Sequence, residues 1–438
     1  MDLLKDNVGK LYRKFFIASF GSALIACIYG LVDMAMVGQY HGPDGSAAMA
    51  VIAPIWNIIY SFGLLCGIGG SVIYAVARGE RDDVKAANGY FTSAFILGTL
   101  WALILWALVW VCEEPLLRLF GANDALMPLC KEYMVAPKLT VPVYVFINLL
   151  SSFLRNDGDP GRATKAVIFG GIFNVFGDYF FVFTLDMGIK GAGIATAMGA
   201  STSVLVMLTH FISKKNTLKF VKPLRILNSF KMISVNGFSS FIVDVAMGVA
   251  TMLFNRRVME YLGTDALAVY GVIVVVGTLV QCCSYGIGQA AQPVISRNFG
   301  AGLTDRIKTM LKYNIITAAV FGAIWTVLSM AMPQVFIKLF MTPTPEVLSI
   351  APGIIRIYAI SFVLLPFNIY STYYFQAIMR AKISLIASVA RGIVISGALI
   401  LLLPVAFGGN AVWWAMPITE AVVFVYSAVM MKKVKLSR

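Results

Sequence analysis

The chain reads as an all-α polytopic membrane protein, with twelve transmembrane helices arranged as two pseudo-symmetric six-helix lobes. Three observations predict this. Of its 438 residues, 59% are hydrophobic and the mean hydropathy is +0.82. Only 13% are charged. The apolar residues gather into long runs separated by short, mostly basic clusters. Soluble domains are about 45–50% apolar and about 25% charged. One core could not bury so much apolar surface, so lipid must solvate most of it. The formal charge of +14 sits in clusters between apolar runs, with no aromatic-interleaved basic face. A charged membrane surface is therefore expected, and no nucleic-acid partner.

A bilayer crossing needs about 20 apolar residues. Spans are predicted at 15–38, 47–75, 90–112, 131–153, 163–185 and 190–212, then at 232–254, 266–290, 313–332, 350–375, 383–404 and 411–431. Pro, Gly and charged residues mark most of the breaks. The first run ends Leu24-Ile25-Ala26-Cys27, which resembles a lipoprotein cleavage box, but its apolar character continues to Val37. It is read as the first span. The six cysteines (Cys27, Cys66, Cys112, Cys130, Cys282, Cys283) form no CxxC pair and are expected to be small buried hydrophobes.

Placing the N-terminus in the cytoplasm puts 26 of the 35 Lys and Arg on the inner side, among them Arg78, Arg81, Arg155, Arg162, Arg297, Arg380 and Arg438. Both termini are then cytoplasmic. The longest polar stretch, 213–231, is basic and divides the chain into an N-terminal lobe (1–212) and a C-terminal lobe (232–438). Ala48-Met49-Ala50-Val51 pairs with Ala266-Leu267-Ala268-Val269, Gly67-Ile68-Gly69 with Gly286-Ile287-Gly288, and Arg162-Ala163 with Arg380-Ala381. Three matches in order at nearly one offset predict a parallel repeat, suited to two lobes rocking about a shared site.

Ionisable side chains inside spans cost about 2.5–3.5 kcal/mol or more at a helix centre, so they are candidates for function. Asp33, Asp178, Asp244 and Glu420 stand out. Asn174 and Asp178 lie four apart on one helical face. The hairpin after Asp178 returns the chain to Thr196 at a depth of roughly 10 Å, and Asp33 is predicted at a similar depth. Two carboxylates, an amide and a hydroxyl suit a small hard cation such as Na⁺. They suit a proton equally well, because two close carboxylates in a low dielectric resist ionising together. A polar network that only locks helices together is the competing reading. Asp244 is expected either to bind substrate or coupling ion in the second lobe, or to neutralise Arg391 or Arg356. Glu420 faces the same choice, with a structural role favoured. Asn57, Tyr144, Asn148, Gln281, Tyr285, Gln289 and Asn368 are candidates to line a substrate cavity, against interhelical hydrogen bonding.

Several signatures are absent. Gly67-Ile68-Gly69-Gly70 lacks a following GK[ST], so it reads as a small-residue packing face. The loops have no room for an ATP-binding domain, so transport would be secondary. His41 and His210 look isolated near span ends, and no metal cluster or nucleophile triad appears. The chain is not expected to be an enzyme and needs no cofactor beyond a coupling ion.

Leu31-Val32-Asp33-Met34-Ala35-Met36-Val37-Gly38, Arg155-Asn156-Asp157-Gly158-Asp159-Pro160 with Ala163, and Gly286-Ile287-Gly288-Gln289-Ala290-Ala291-Gln292-Pro293 carry a resemblance over nearly the whole chain. It resembles the multidrug and toxic compound extrusion (MATE) transporters. The resemblance implies twelve helices in two lobes, a monomer in a bacterial cytoplasmic membrane, and exchange of Na⁺ or H⁺ for organic, often cationic, compounds. It implies a first-lobe cation site at Asp33, Asn174, Asp178 and Thr196, with the Ala192 carbonyl as a backbone ligand. Many members carry a proline in span 1 whose bend is linked to gating; here none precedes Pro43, so a bend would fall to Gly21 or Gly30. Asp244 stands where a glutamate is usual, and span 10 has no acid. The alternative is a flippase for lipid-linked precursors from the same superfamily, which would need several basic residues in its cavity where the spans offer mainly Arg391.

Overall fold

A membrane without water at its centre leaves backbone N–H and C=O groups no partner but each other, so a chain this apolar must cross as helix. The computed structural model describes residues 2–80, 83–223, 225–340 and 343–436; Arg81 and Arg438, counted with the basic clusters, lie outside them. Among the described residues eleven helices are long and apolar enough to span. They are α1 Val8–Gly42, α2 Asp44–Glu80, α3 Val84–Val111, α4 Pro137–Asn156, α5 Pro160–Thr184 and α6 Gly188–Ile212, then one 75-residue helix, then four more. At 1.5 Å per residue the long helix would be far longer than any bilayer is thick. It turns at Gly263, whose φ of 80° and ψ of −169° are not helical, giving α7 (226–262) and α8 (264–300). The last four are α9 Thr304–Ala331, α10 Pro345–Ala377, α11 Ala381–Phe407 and α12 Gly409–Lys433. Gly42 turns α1 into α2 in the same conformation, φ 64° and ψ −146°. The two halves thus repeat the same glycine hinge.

The twelve predicted spans are all present, with different ends. Residues 226–231, expected in the linker, are already helix, since charge alone does not stop a helix. The fourth span starts at Pro137 instead of 131. The residues before it form two short helices of their own, Glu113–Leu119 and Met127–Met134, and Pro137 starts a new segment. The helix runs unbroken through Gly21 and Gly30, and Gly42 is the non-helical residue of the α1–α2 stretch, so no bend replaces the missing proline.

Both chain ends and the interlobe linker lie on one face, the basic face. Arg155, read from sequence as part of it, is instead buried inside the last turn of α4. On the opposite face cations are matched by acids: Lys138 with Glu113 (2.9 Å), Lys131 with Glu114 (2.7 Å) and Arg257 with Glu260 (2.8 Å).

The lobes meet through their halves nearest the basic face. One apolar cluster joins Phe15, Leu64, Ile68, Val72 and Val76 of the first lobe to Val280, Ile287, Val294, Tyr370 and Tyr374 of the second. Backbones touch there because Gly79 and Gly300 have no side chain. A Cβ on Gly79 would sit 2.1 Å from the Arg297 carbonyl, and one on Gly300 2.1 Å from that of Val76. Gly79→Val or Gly300→Val is expected to part this seam. A single cysteine at Ser296, in a background free of the native cysteines, should then react several-fold faster with a membrane-impermeant maleimide added at the basic face.

The linker is clamped to the first lobe by a charge network around His210, which is fully buried between two carboxylates: Nε2 lies 2.8 Å from Asp157 and Nδ1 3.3 Å from Asp159. Carboxylates only accept, so both contacts are hydrogen bonds when the ring carries both protons. Asp157 also accepts from Tyr74 (3.0 Å) and from the Thr217 amide (2.9 Å). His41 accepts from the Ile189 amide (3.0 Å), so neither histidine is isolated as expected. Burial alone would push the Asp159 carboxyl up, but Lys215 and Arg162 beside it hold it below the ordinary carboxylate range. A depressed value contributes stability that is present above the unfolded value of about 3.9 and lost as pH falls through the folded one. Hydrogen exchange across 213–223 is therefore expected to stay slow at neutral pH and to accelerate below about pH 4. Asp157→Asn should accelerate it already at pH 7, since it removes the carboxylate that accepts from Tyr74 and from the Thr217 amide and faces His210 Nε2.

Candidate functional site

Polar side chains pulled from water must find partners or cost the protein stability. Two places in the span interior are decided by that rule in opposite ways.

The first lies in the first lobe. α5 and α6 approach closely at Gly170 and Gly199, where a Cβ on either would fall 2.6–2.7 Å from the other's carbonyl. This sets the Asn174 face of α5 against Thr196 of α6. Asn174 Nδ2 donates to Thr196 Oγ1 (3.2 Å), and Thr196 Oγ1 donates to Asp33 Oδ2 of α1 (3.4 Å). Tyr133, from the short helix before α4, donates to the same Thr196 oxygen at 3.3 Å. Asp178 is fully buried one turn beyond Asn174 on the same face of α5. Directly after it α5 widens into a π-helical turn, Tyr179–Thr184, a feature frequent at functional sites. Ala192, also fully buried, is one turn before Thr196.

This cluster is not a satisfied lock. Asp33 Oδ1, Asn174 Oδ1 and both carboxylate oxygens of Asp178 are buried without a hydrogen-bond partner. A network built only to hold helices would use them, because each unmet acceptor costs about 1–3 kcal/mol. The unmet atoms are all oxygens, the donor set of a hard monovalent cation and, equally, of a shared proton. Asp33, Asn174 and Thr196, predicted from helical spacing and depth, are joined by hydrogen bonds, with Asp178 one turn along the Asn174 face. Tyr133 was missed, since its segment reads as part of the fourth span.

The second place is in the second lobe, and there the charges are matched. Arg391 of α11 donates Nε to Glu420 Oε1 of α12 at 2.7 Å, with the Glu420 side chain fully buried and that of Arg391 11% exposed. Asn368 of α10 donates to the other oxygen, Glu420 Oε2 (2.6 Å). A π-helical turn, Ala390–Val394, carries Arg391. Asp244 is therefore not the partner of Arg391, which is taken by Glu420, nor of Arg356, whose Nε donates to the Met330 carbonyl (3.1 Å). Asp244 instead accepts from Tyr285 (2.7 Å), which in turn accepts from Gln281 (2.7 Å).

Two cavities flank this pair. One is lined by Asp244, Tyr285, Asn368, Tyr373 and Arg391. The other is lined by Gln281, Met247, Met416, Phe254, Tyr270, Tyr358, Arg391 and Glu420. Gln281, Tyr285 and Asn368 thus face space within the second lobe. The other candidates do not share it. Asn57 is exposed. Asn148 spends its amide on the Tyr60 carbonyl across a helix pair (3.1 Å). Tyr144 packs its ring at a tilt against Trp56 (4.8 Å between centroids), and Gln289 lies beside Tyr373. Polarity in a span marks these positions, but which helix they face is a matter of packing.

Breaking the buried pair leaves a stranded charge. Glu420→Gln is expected to cost about 3–5 kcal/mol, while Arg391→Gln combined with Glu420→Gln should recover much of it. Thermal unfolding of the purified protein in one detergent would measure both.

The sequence profile described as MatE matches residues 18–180 and again 238–401, one copy in each lobe. The chain is 23% identical over 426 residues to the multidrug export protein MepA of Staphylococcus saprophyticus, covering 95% of this chain and 92% of that one. It is 24% identical to MepA of Staphylococcus haemolyticus with the same coverage. A solved multidrug resistance MATE family transporter of the MOP superfamily, in an outward-facing conformation, superposes with a TM-score of 0.89 at 22% identity, over 98% of this chain and 97% of that chain. A MOP superfamily transporter from Pyrococcus furiosus, described as having a binding pocket of reversed polarity, superposes with a TM-score of 0.88 at 22% identity, with the same coverage. With both halves matched and the fold shared along its length, the chain belongs to the MatE family of membrane transporters.

Proposed function

We propose that this transporter exports small organic compounds, cationic ones among them, in exchange for H⁺ or Na⁺ entering at the first-lobe cluster. The single observation that carries this reading is the set of four buried oxygens left without partners on Asp33, Asn174 and Asp178. A carrier site must be incomplete when empty, since an ion is taken up only where it completes the coordination. As a MatE member the chain is a transporter and not an enzyme, and the relatives it resembles are multidrug export proteins.

The positive-inside rule assigns the basic face, with both termini, to the cytoplasm of a bacterial inner membrane. The seam at Gly79 and Gly300 then closes the cytoplasmic side. In this state an ion arriving from outside binds Asp33 and Asp178, pulling α1 onto α5 and α6 and satisfying their oxygens. Coupling follows if substrate and ion stabilise different states of the lobes. The ion is cargo, released when the cytoplasmic seam opens. A precursor flippase would need several free basic residues in its cavity for pyrophosphate, and Arg391, which lines the second-lobe cavities, is neutralised by Glu420.

Ethidium efflux from loaded proteoliposomes under an imposed pH or Na⁺ gradient tests the reading. Efflux should follow one gradient and fall at least about tenfold in Asp33→Asn and in Asp178→Asn, with ethidium binding in detergent largely retained. Gradient-driven efflux persisting in Asp178→Asn would reject the assignment of the ion site.

A further inference from the structure

The interlobe linker carries unmatched charge. Six cations lie from Lys214 to Lys231, with no acid among them. Lys215 reaches Asp159 at 3.4 Å. Lys214, Lys219, Lys222, Arg225 and Lys231 are exposed and, among the described residues, pair with no carboxylate. On the opposite face, by contrast, Lys131 and Lys138 are taken by glutamates. Large apolar side chains stand between the linker's cations and are exposed with them: Ile212 at 88%, Phe220 at 57% and Leu227 at 78%.

This segment has no helix of its own between Asn216 and Pro223, yet it is not a loose chain. Side chains of α3 pin its backbone. Asn88 Nδ2 donates to the Thr217 carbonyl (3.1 Å), Asn88 Oδ1 accepts from the Lys219 amide (3.1 Å), and Thr92 Oγ1 accepts from the Val221 amide (3.0 Å). Phe220 packs edge-on against Phe95 (5.0 Å) and lies 5.1 Å from Phe91, and still leaves more than half its surface uncovered. At the offset that relates Gly67 to Gly286, α9 has Ile307 and Leu311 where α3 has Asn88 and Thr92, so the second lobe lacks these pins. Depth matters as much as charge. The 28 residues of α3 exceed a hydrocarbon core of about 30 Å by roughly 6 Å at either end. Thr92 lies two turns, about 12 Å, into that helix, so the stretch pinned to it runs where headgroups meet acyl chains.

We propose that the linker is a recognition surface for an anionic phospholipid, with Lys219, Lys222 and Arg225 on the lipid phosphate and Phe220 and Leu227 among its acyl chains. Cations at this level gain from a negative headgroup, and their bulky apolar neighbours gain from the acyl boundary beneath it. A soluble polyanion would meet only the first need and a neutral lipid only the second. Because the backbone is already fixed on α3, the side chains are held in place before the lipid arrives, and little ordering remains to oppose binding.

The test uses the full chain, free of its native cysteines, with a bimane fluorophore on Asn228→Cys, an exposed position beside Leu227. It is reconstituted in phosphatidylcholine vesicles containing a minority of phosphatidylglycerol. Trace amounts of either lipid, spin-labelled at the top of one acyl chain, then quench the fluorophore by contact. Labelled phosphatidylglycerol is expected to quench about threefold or more better than labelled phosphatidylcholine, since each cation near the surface is worth roughly fivefold in anionic-lipid affinity. The excess should vanish in the triple variant Lys219→Gln, Lys222→Gln, Arg225→Gln, with phosphatidylcholine quenching and the thermal midpoint unchanged. It should persist in Lys219→Arg, Lys222→Arg, Arg225→Lys. A second fluorophore on Thr309→Cys, beside Lys308 and Lys312 on α9 where the pins are missing, should show little preference. That comparison keeps the unaltered linker and stands whether or not the triple variant folds. Equal quenching by the two lipids at Asn228→Cys, the same excess at Thr309→Cys, an excess that survives the triple variant or fails in the charge-conserving one, or its displacement by millimolar inorganic phosphate would each overturn the proposal. The last would mark a site for free anions, and the same excess at both positions only the field of the whole basic face.

Discussion

The rest of the structure depends on the cost of leaving a polar group unmet in hydrocarbon. It forces the backbone into helices, and it sorts every buried charge into one that is matched and one that awaits a partner. Arg391 and Glu420 are matched, with Asn368 closing the second carboxylate oxygen. Asp33 and Asp178 are not. Buried carboxylates thus divide into a rivet and a receptor according to which neighbours the helices bring.

The two lobes share architecture without sharing chemistry. Both turn at a glycine of positive φ between their first two spans, and in both the fifth span carries a π-helical turn beside a buried charge. In the first lobe that charge is an acid whose oxygens are free; in the second it is an arginine already neutralised. Duplication supplies two equivalent frames, and the substituted charge decides which can take up an ion. The seam between them combines apolar side chains from both lobes with close backbone approach at Gly79 and Gly300.

Much of the site was legible before any coordinates. Asn174 and Asp178 share a face because they are four apart, and the short hairpin after them returns Thr196 to the same depth; both are consequences of helical rise alone. Asp33 joined them by depth from its own span end. Tyr133 was not legible, because it lies on a short helix that the hydropathy pattern merges with the fourth span. The partner of Glu420 was not legible either: Arg391 is on a neighbouring span, and hydropathy carries no information about rotation around a helix axis. His210 looked isolated because Asp157 and Asp159 are far from it in sequence.

By itself the sequence determined the number of spans, their order, the basic face, the internal repeat and the short list of intramembrane acids. These follow from composition, from period and from the fixed length of a helix across lipid, which are properties of each segment taken alone. Only the tertiary structure decided which acids are paired, where the lobes touch, that Arg155 is buried, and that Gln281, Tyr285 and Asn368 line cavities of the second lobe while Asn148 does not. Those depend on how helices rotate against one another, and that rotation is set by close packing of many small and aromatic side chains at once, not by any one stretch of chain.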